Sequence, residues 1–104
     1  MNKIRVIAVR PDRPEGYITN VSNELPNLQR FVGGHIETLT LHFPEGDFVV
    51  ICDDEGRIKG KQQSAFIGGF DFCGDILIAG VDGEEFADIP EPIEELWRGG
   101  GLLG

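Results

Sequence analysis

Basic residues are scarce in this chain: nine lysines and arginines face eighteen aspartates and glutamates, a formal charge of −9 over 104 residues. Such a surface repels a phosphate backbone, so direct nucleic-acid binding, which depends on a basic footprint, is not expected. Long apolar runs are missing as well. No stretch approaches the roughly 18 residues that a membrane helix needs, and Met1-Asn2-Lys3-Ile4-Arg5 leads into mixed sequence rather than the apolar core of a signal peptide. These absences predict a soluble, cytoplasmic protein without a membrane partner. Cysteine is limited to Cys52 and Cys73, both within apolar strand-like runs; buried free thiols are expected, and no disulfide framework is implied.

The familiar catalytic and ligand motifs are absent too. No close cysteine pair occurs, and His35 and His42 stand an odd interval apart on a strand-like segment, hence on opposite faces, so no metal site is predicted. No Gly-Lys-Ser or Gly-Lys-Thr follows a glycine-rich turn. Gly33-Gly34 comes after a helical pattern, whereas a phosphate loop precedes a helix and aims its free amides at the anion. Cys52 ends an apolar run, where a thiol's pKa rises rather than falls. With no nucleophile and base brought together by spacing, the expectation is a protein that is not an enzyme and carries no cofactor.

What is present is a regular alternation of periods. Lys3 to Val9 alternates branched with charged or small residues, as a first strand does, and Pro11 with Pro14 closes it in a loop. Tyr17 and Ile18 make a short extended piece. A helix is predicted from Asn23, capped by Ser22 or Asn23, with Pro26 in its first turn and Leu25, Leu28, Phe31 and Val32 at helical spacing. It stops at Gly33, which takes the left-handed cap conformation without a Cβ penalty. From His35 the period is two, with Glu37, Leu39, Leu41 and Phe43 on one face. Phe48 to Cys52 is unbroken apolar sequence, the mark of an inner strand covered on both sides. Asp53 to Gly56 turns the chain into a polar, strand-like Arg57-Ile58-Lys59. Gln62 to Ile67 reads as either a helical turn or a loop. Phe70 to Val81 reads as one long strand with a bulge at Gly74. A last helix begins at Pro92 and presents Ile93, Leu96 and Trp97. The fold class expected is α+β: a single small domain over residues 1–98, a mainly antiparallel sheet of about four to five strands with one helix after the first strand region and one at the C-terminus. Residues 99–104 form a flexible glycine-rich tail in which Leu102 and Leu103 either fray or dock.

Two surface features remain. Asp82, Glu84, Glu85, Asp88, Glu91, Glu94 and Glu95 crowd the C-terminal quarter. They form either a plain solvated face or a surface that selects a basic partner by complementary potential, with Trp97 as an apolar anchor if it is exposed. Arg57, Lys59 and Lys61 alternate, so in extended form they share a face. That face either protects an edge strand and balances the neighbouring acids or holds a small anion, with Gly56 and Gly60 giving it access to the backbone.

The segments Leu28-Gln29, Val32-Gly33-Gly34-His35-Ile36-Glu37, Asp54-Glu55-Gly56 and Ile58-Lys59-Gly60, with Asp71 and Gly80, resemble the phage- and plasmid-borne domain of unknown function 3846 family. Gly33, Gly34, Glu37, Gly56 and Gly60 are the structural motif residues. Lys61-Gln62-Gln63-Ser64 departs from the Leu-Pro and Asn-bearing segment that often follows the Lys-Gly pair in that family. The resemblance implies an accessory gene of a mobile element, and no catalytic residues come with it. The expected function is therefore non-catalytic binding of a host macromolecule, a protein with a basic surface, to inhibit a defence system through the acidic residues. The alternative is an oligomeric sponge for an anionic nucleotide signal on the Arg57, Lys59 and Lys61 face.

Overall fold

A computed structural model of the chain describes residues 2–102. Its elements run β1 (Lys3–Arg10), β2 (Arg13–Ser22), α1 (Leu25–Val32), β3 (Ile36–Phe43), β4 (Gly46–Asp53), β5 (Gln63–Ile67), β6 (Phe70–Cys73), β7 (Ile76–Asp82), β8 (Glu85–Ala87) and α2 (Glu91–Arg98). The fold is α+β, as the alternation of periods predicts. Five strands lie in the order β2-β1-β7-β4-β3, antiparallel throughout, and β8 adds a sixth by pairing with the outer end of β7. The sheet therefore has six strands rather than four to five, and β5 with β6 forms a separate two-stranded ribbon.

Period two along the central strands sends side chains to two cores. Ile4, Val6, Ala8, Val49, Ile51, Leu77 and Ala79 face α1, which supplies Leu28 and Val32. Ile7, Val9, Phe48, Val50, Ile76 and Ile78 face the other way, under the β5–β6 ribbon and α2, which contribute Ala65, Ile67, Phe72 and Ile93. The sheet is thus the middle of three layers. β4 is buried from Phe48 to Asp53, in line with its unbroken apolar sequence. Leu102 is docked in the second core, at 2% exposure, so the glycine tail is pinned at that point. Leu103 and Gly104 lie outside the described residues.

Several local expectations are corrected. β2 is ten residues long rather than a short piece around Tyr17, because Pro14 falls where the pairing of this edge strand with β1 shifts register, and proline is tolerated at such an irregularity. Helix α1 starts at Leu25 with Glu24 at the N-cap and no side-chain capping bond. Asn23 is still held to the sheet: its amide donates to the Asn2 carbonyl at 2.7 Å and its side chain to the Phe86 carbonyl at 3.1 Å. Gln63 to Ile67 is a strand. The apolar sequence from Phe70 onward is not one bulged strand but β6 and β7, in different sheets, with the chain turning at Gly74 (φ 78°). In α2, Glu91 takes the first position and Pro92 the second. Trp97 packs against the second core and its indole N–H donates to the Glu15 carbonyl at 2.9 Å, so it is part of the packing rather than an exposed anchor.

At the outer end of β7 the chain doubles back through β8, and the Ile89 amide donates to the Arg5 carbonyl at 2.8 Å. This return path runs across Gly80. A Cβ there would fall inside the van der Waals envelope of the Asp88 carbonyl oxygen, a backbone atom that cannot swing aside. Gly80→Ala is therefore expected to lower stability by about 2 kcal/mol, the scale of overpacking in a closed core. Urea unfolding with an unchanged m-value checks this, and a variant as stable as the parent contradicts the close approach.

Candidate functional site

Two features meet at the end of β4. The first is a buried carboxylate. Asp53 follows Val49 and Ile51 on the α1 face of the strand, which carries it under the C-terminus of α1. Its side chain is 1% exposed, and Lys59 Nζ and Lys61 Nζ each lie 2.8 Å from Oδ2. The Glu55 amide donates to Oδ1 at 3.0 Å. The same two ammonium groups cap the helix: Lys61 donates to the Val32 carbonyl at 2.7 Å and Lys59 to the Gly33 carbonyl at 3.2 Å. They sit where the helix dipole is negative. Gly33, at φ 81°, is the left-handed cap residue. Gly34 serves close approach: a Cβ there would stand 2.6 Å from Asp53 Oδ1 and 2.7 Å from Lys59 Nζ.

Burial opposes the charge on Asp53, but hydrogen bonds from Lys59, Lys61 and the Glu55 amide more than offset it, so its pKa lies well below the usual carboxylate range. The hydrogen bond from Asp53 raises the pKa of Lys59 in turn. The Asp53–Lys59 pair is therefore ionised through the neutral range.

The second feature is a cavity of about 550 Å³ on the opposite face of the sheet, between β3, the turns over 54–60, and β6. Leu39, Cys52 and Phe72 line its apolar part, and Ile58 and Phe70 stand at its mouth with 84% and 48% exposure. Glu37, Asp54 and Asp71 are exposed carboxylates on its lining, against a single cation, Arg57. Arg57 donates to the Asp71 carbonyl at 3.2 Å and lies 3.7 Å from its carboxylate. Cys52 is buried and donates weakly to the Glu37 carbonyl at 3.6 Å. Burial first, then the charges of Glu37, Asp53 and Asp54, push its thiol up to about 11. It stays protonated at neutral pH, so it is no nucleophile there.

These positions revise the expectations for the site. Residues 54–60 are turns rather than a strand, so Arg57, Lys59 and Lys61 do not share a face. Lys59 and Lys61 are drawn to Asp53 on the α1 side, and Arg57 alone lines the cavity. The seven C-terminal acids also divide. Asp88 accepts the Arg5 amide at 2.8 Å, and Glu94 is held by Arg5 at 3.1 Å and Arg98 at 2.6 Å. Arg5 is the main reason that the pKa of Glu94 is lowered. Asp82, Glu84, Glu85, Glu91 and Glu95 remain exposed. Among the described residues, no group of three or more His, Cys, Asp or Glu is placed to hold a metal ion, and no helix is long and apolar enough to cross a membrane. Sequence reasoning missed Asp53, grouping it with the exposed Asp54 and Glu55. The signal was available, since period two from Val49 and Ile51 puts Asp53 on their buried face. It also missed Ile58 and Phe70, whose exposure no local pattern reports.

Asp53→Asn keeps the shape of the clamp but removes the charge that two ammonium groups share. It should cost about 2 kcal/mol, the scale of buried hydrogen bonds to charged groups. A carboxylate with a depressed pKa binds fewer protons folded than unfolded, so its stabilisation is present above the ordinary value of 3.8 and is lost as pH falls below it. Acid unfolding of the parent should therefore steepen below about pH 4, and Asp53→Asn should flatten that slope in part, with Glu94 supplying the remainder. Equal acid slopes would contradict the clamp. Cys52 works in the opposite sense: the folded state keeps a proton that the unfolded chain releases, so stability falls as pH rises from 9.0 toward about 11. Iodoacetamide alkylation of Cys52, followed by mass spectrometry, should show a midpoint near 11, and a midpoint near neutrality would contradict its burial.

No curated protein and no solved structure matches the chain. A family model, the Domain of unknown function (DUF3846), matches residues 4–99. The segments brought together around Asp53, Val32-Gly33-Gly34 from one side and Glu55 through Lys59-Gly60 from the other, lie within that match, and the chain belongs to the DUF3846 family.

Proposed function

We propose that this protein acts by non-covalent capture of a protein segment that combines apolar side chains with lysine or arginine. One observation carries the reading: the cavity beside β3 joins an apolar lining and two exposed apolar residues, Ile58 and Phe70, to a predominantly acidic surround. Exposed apolar side chains at a concave site are where desolvation can supply affinity. The excess of carboxylates over cations at the rim selects positive charge and speeds encounter. The formal charge of −9 extends that attraction beyond the site, helped by the exposed acids of the β7–β8 turn and α2.

The chemistry of the nearby groups supports binding over turnover. The cavity's Cys52 thiol is protonated at neutral pH, and the neighbouring Asp53 carboxylate is consumed by two lysines. A nucleotide sponge would need cations facing outward together, whereas Lys59 and Lys61 face Asp53. In the accessory-gene setting that the family resemblance implies, the captured segment belongs to a host protein, and the consequence is interference with host defence.

The test is affinity capture from host lysate by the parent and by the Ile58→Asp, Phe70→Ser double variant, with melting temperatures measured in parallel. Both positions are solvent-exposed, so the variant should fold normally. Losing two apolar anchors should weaken capture of a basic protein at least about tenfold, or 1.4 kcal/mol, and raising salt should weaken it further. Undiminished capture by the double variant contradicts the reading, as does thermal stabilisation by cyclic nucleotides.

A further inference from the structure

The two long edges of the main sheet are built differently. β2 carries Pro14, its pairing with β1 is irregular between Ala8 and Arg10, and the Glu15 carbonyl is taken by Trp97. These are the devices by which proteins blunt an edge strand. β3 has none of them. It runs eight residues, Ile36–Phe43, without proline or lysine, and pairs with β4 in unbroken register from Ile36↔Asp53 to Phe43↔Gly46. The other edges are short: β5, β6 and β8 have five, four and three residues.

The pairing parity identifies the unused groups. The Asp54 amide donates to the His35 carbonyl at 3.0 Å, so His35 and Asp54 form a hydrogen-bonded pair, and in an antiparallel ladder such pairs recur at every second residue. Glu37, Leu39, Leu41 and Phe43 therefore direct their backbone groups at β4. The amides and carbonyls of Ile36, Thr38, Thr40 and His42 point away from the sheet. Among the described residues β3 pairs only with β4, and Thr38, Thr40 and His42 are exposed.

The cavity opens onto this edge. Three consecutive residues, Glu37, Thr38 and Leu39, line it. Side chains of neighbouring strand residues point to opposite faces, so three lining residues in a row bring the cavity up to the strand's backbone. A chain laid along β3 would turn alternate side chains toward the cavity that Leu39, Ile58 and Phe70 line. We infer that β3 is a docking edge at which an extended, lysine- or arginine-bearing segment of a partner protein adds as a further antiparallel or parallel strand.

Charge chooses this occupant over a second copy of the chain. Glu37, Asp54, Asp71 and, at the β3–β4 turn, Glu45 are exposed around this edge. Of the nearby bases, Arg57 is engaged with Asp71, and His42 lies 2.8 Å from Asp47. Pairing two copies through β3 would bring those carboxylates together and oppose two bodies of charge −9, whereas a cationic strand meets complementary charge along its length. The inference relies on the proposed function only for the partner's charge; the free backbone edge is a separate observation.

The probe is a synthetic peptide alternating valine with lysine, matched to the eight residues of β3. Hydrogen exchange of the free protein should show fast amides at Ile36, Thr38, Thr40 and His42 between slow ones, and the peptide should protect those four selectively. Thr40→Pro removes an outward N–H and leaves the β3–β4 ladder intact, so it should weaken peptide binding at least about tenfold with little change in melting temperature. Independently of that variant's folding, a peptide N-methylated on alternate amides should bind the parent at least about tenfold more weakly than one methylated on the other set. If Thr40→Pro binds like the parent while Ile58→Asp with Phe70→Ser does not, the edge proposal falls and the groove reading stands. If the groove variant binds like the parent while Thr40→Pro does not, the edge stands alone. Sedimentation showing a dimer that Thr40→Pro dissociates would overturn the heterotypic assignment in favour of self-pairing, and absence of binding by any form would overturn both.

Discussion

The ion cluster at Asp53 ties the end of α1 to the end of β4 and the turns that follow it. One carboxylate at the end of β4 engages two lysines from the following turns, and those lysines satisfy the last carbonyls of α1. A buried anion would be costly alone. Together, with the Glu55 amide and the helix carbonyls completing their hydrogen bonds, the carboxylate and the two ammonium groups make a locally satisfied network. Gly34 belongs to the same arrangement, because any side chain there would collide with the carboxylate and one ammonium.

The cluster also shapes the opposite side of the sheet. By drawing Lys59 and Lys61 toward α1, it commits the intervening turns to a path that leaves Ile58 at the mouth of the cavity. It engages two of the chain's nine basic side chains on the α1 side of the sheet. The cavity is left with Arg57 against Glu37, Asp54 and Asp71. An acidic, partly apolar concavity next to an unpaired strand edge is thus a by-product of how α1 is anchored. Of the motif residues, Gly33 and Gly34 serve the anchor, whereas Glu37 and Gly56 line the cavity.

Much of the architecture was legible because it depends on periodicity. The switch from helical spacing at Leu28 and Val32 to alternation at Glu37, Leu39 and Leu41 was plain, and so was the doubly covered Phe48 to Cys52. Elements failed where a local signal had a tertiary exception. Pro11 with Pro14 concealed an edge strand, which does not need every backbone donor. Gly74 suggested a bulge where the chain passes between sheets, a distinction that lies in the pairing partners and not in the glycine. The candidate site was read least well. Arg57, Lys59 and Lys61 alternate in the sequence, but their directions are set by a carboxylate and a helix end that alternation cannot see.

The order of residues alone determined the charge imbalance, the double covering of the Phe48 to Cys52 strand, the stop of α1 at Gly33 and the absence of familiar catalytic spacings. Each depends on composition or on neighbours within a few positions. Tertiary structure decided which charges are engaged and which are exposed, that Leu102 is in the core with Trp97 packed against it, and that among the described residues β3 pairs on one side only. Those outcomes turn on contacts across long separations, such as Lys61 with Val32 or Trp97 with Glu15. There, the gain from pairing a buried group outweighs any preference of the local chain.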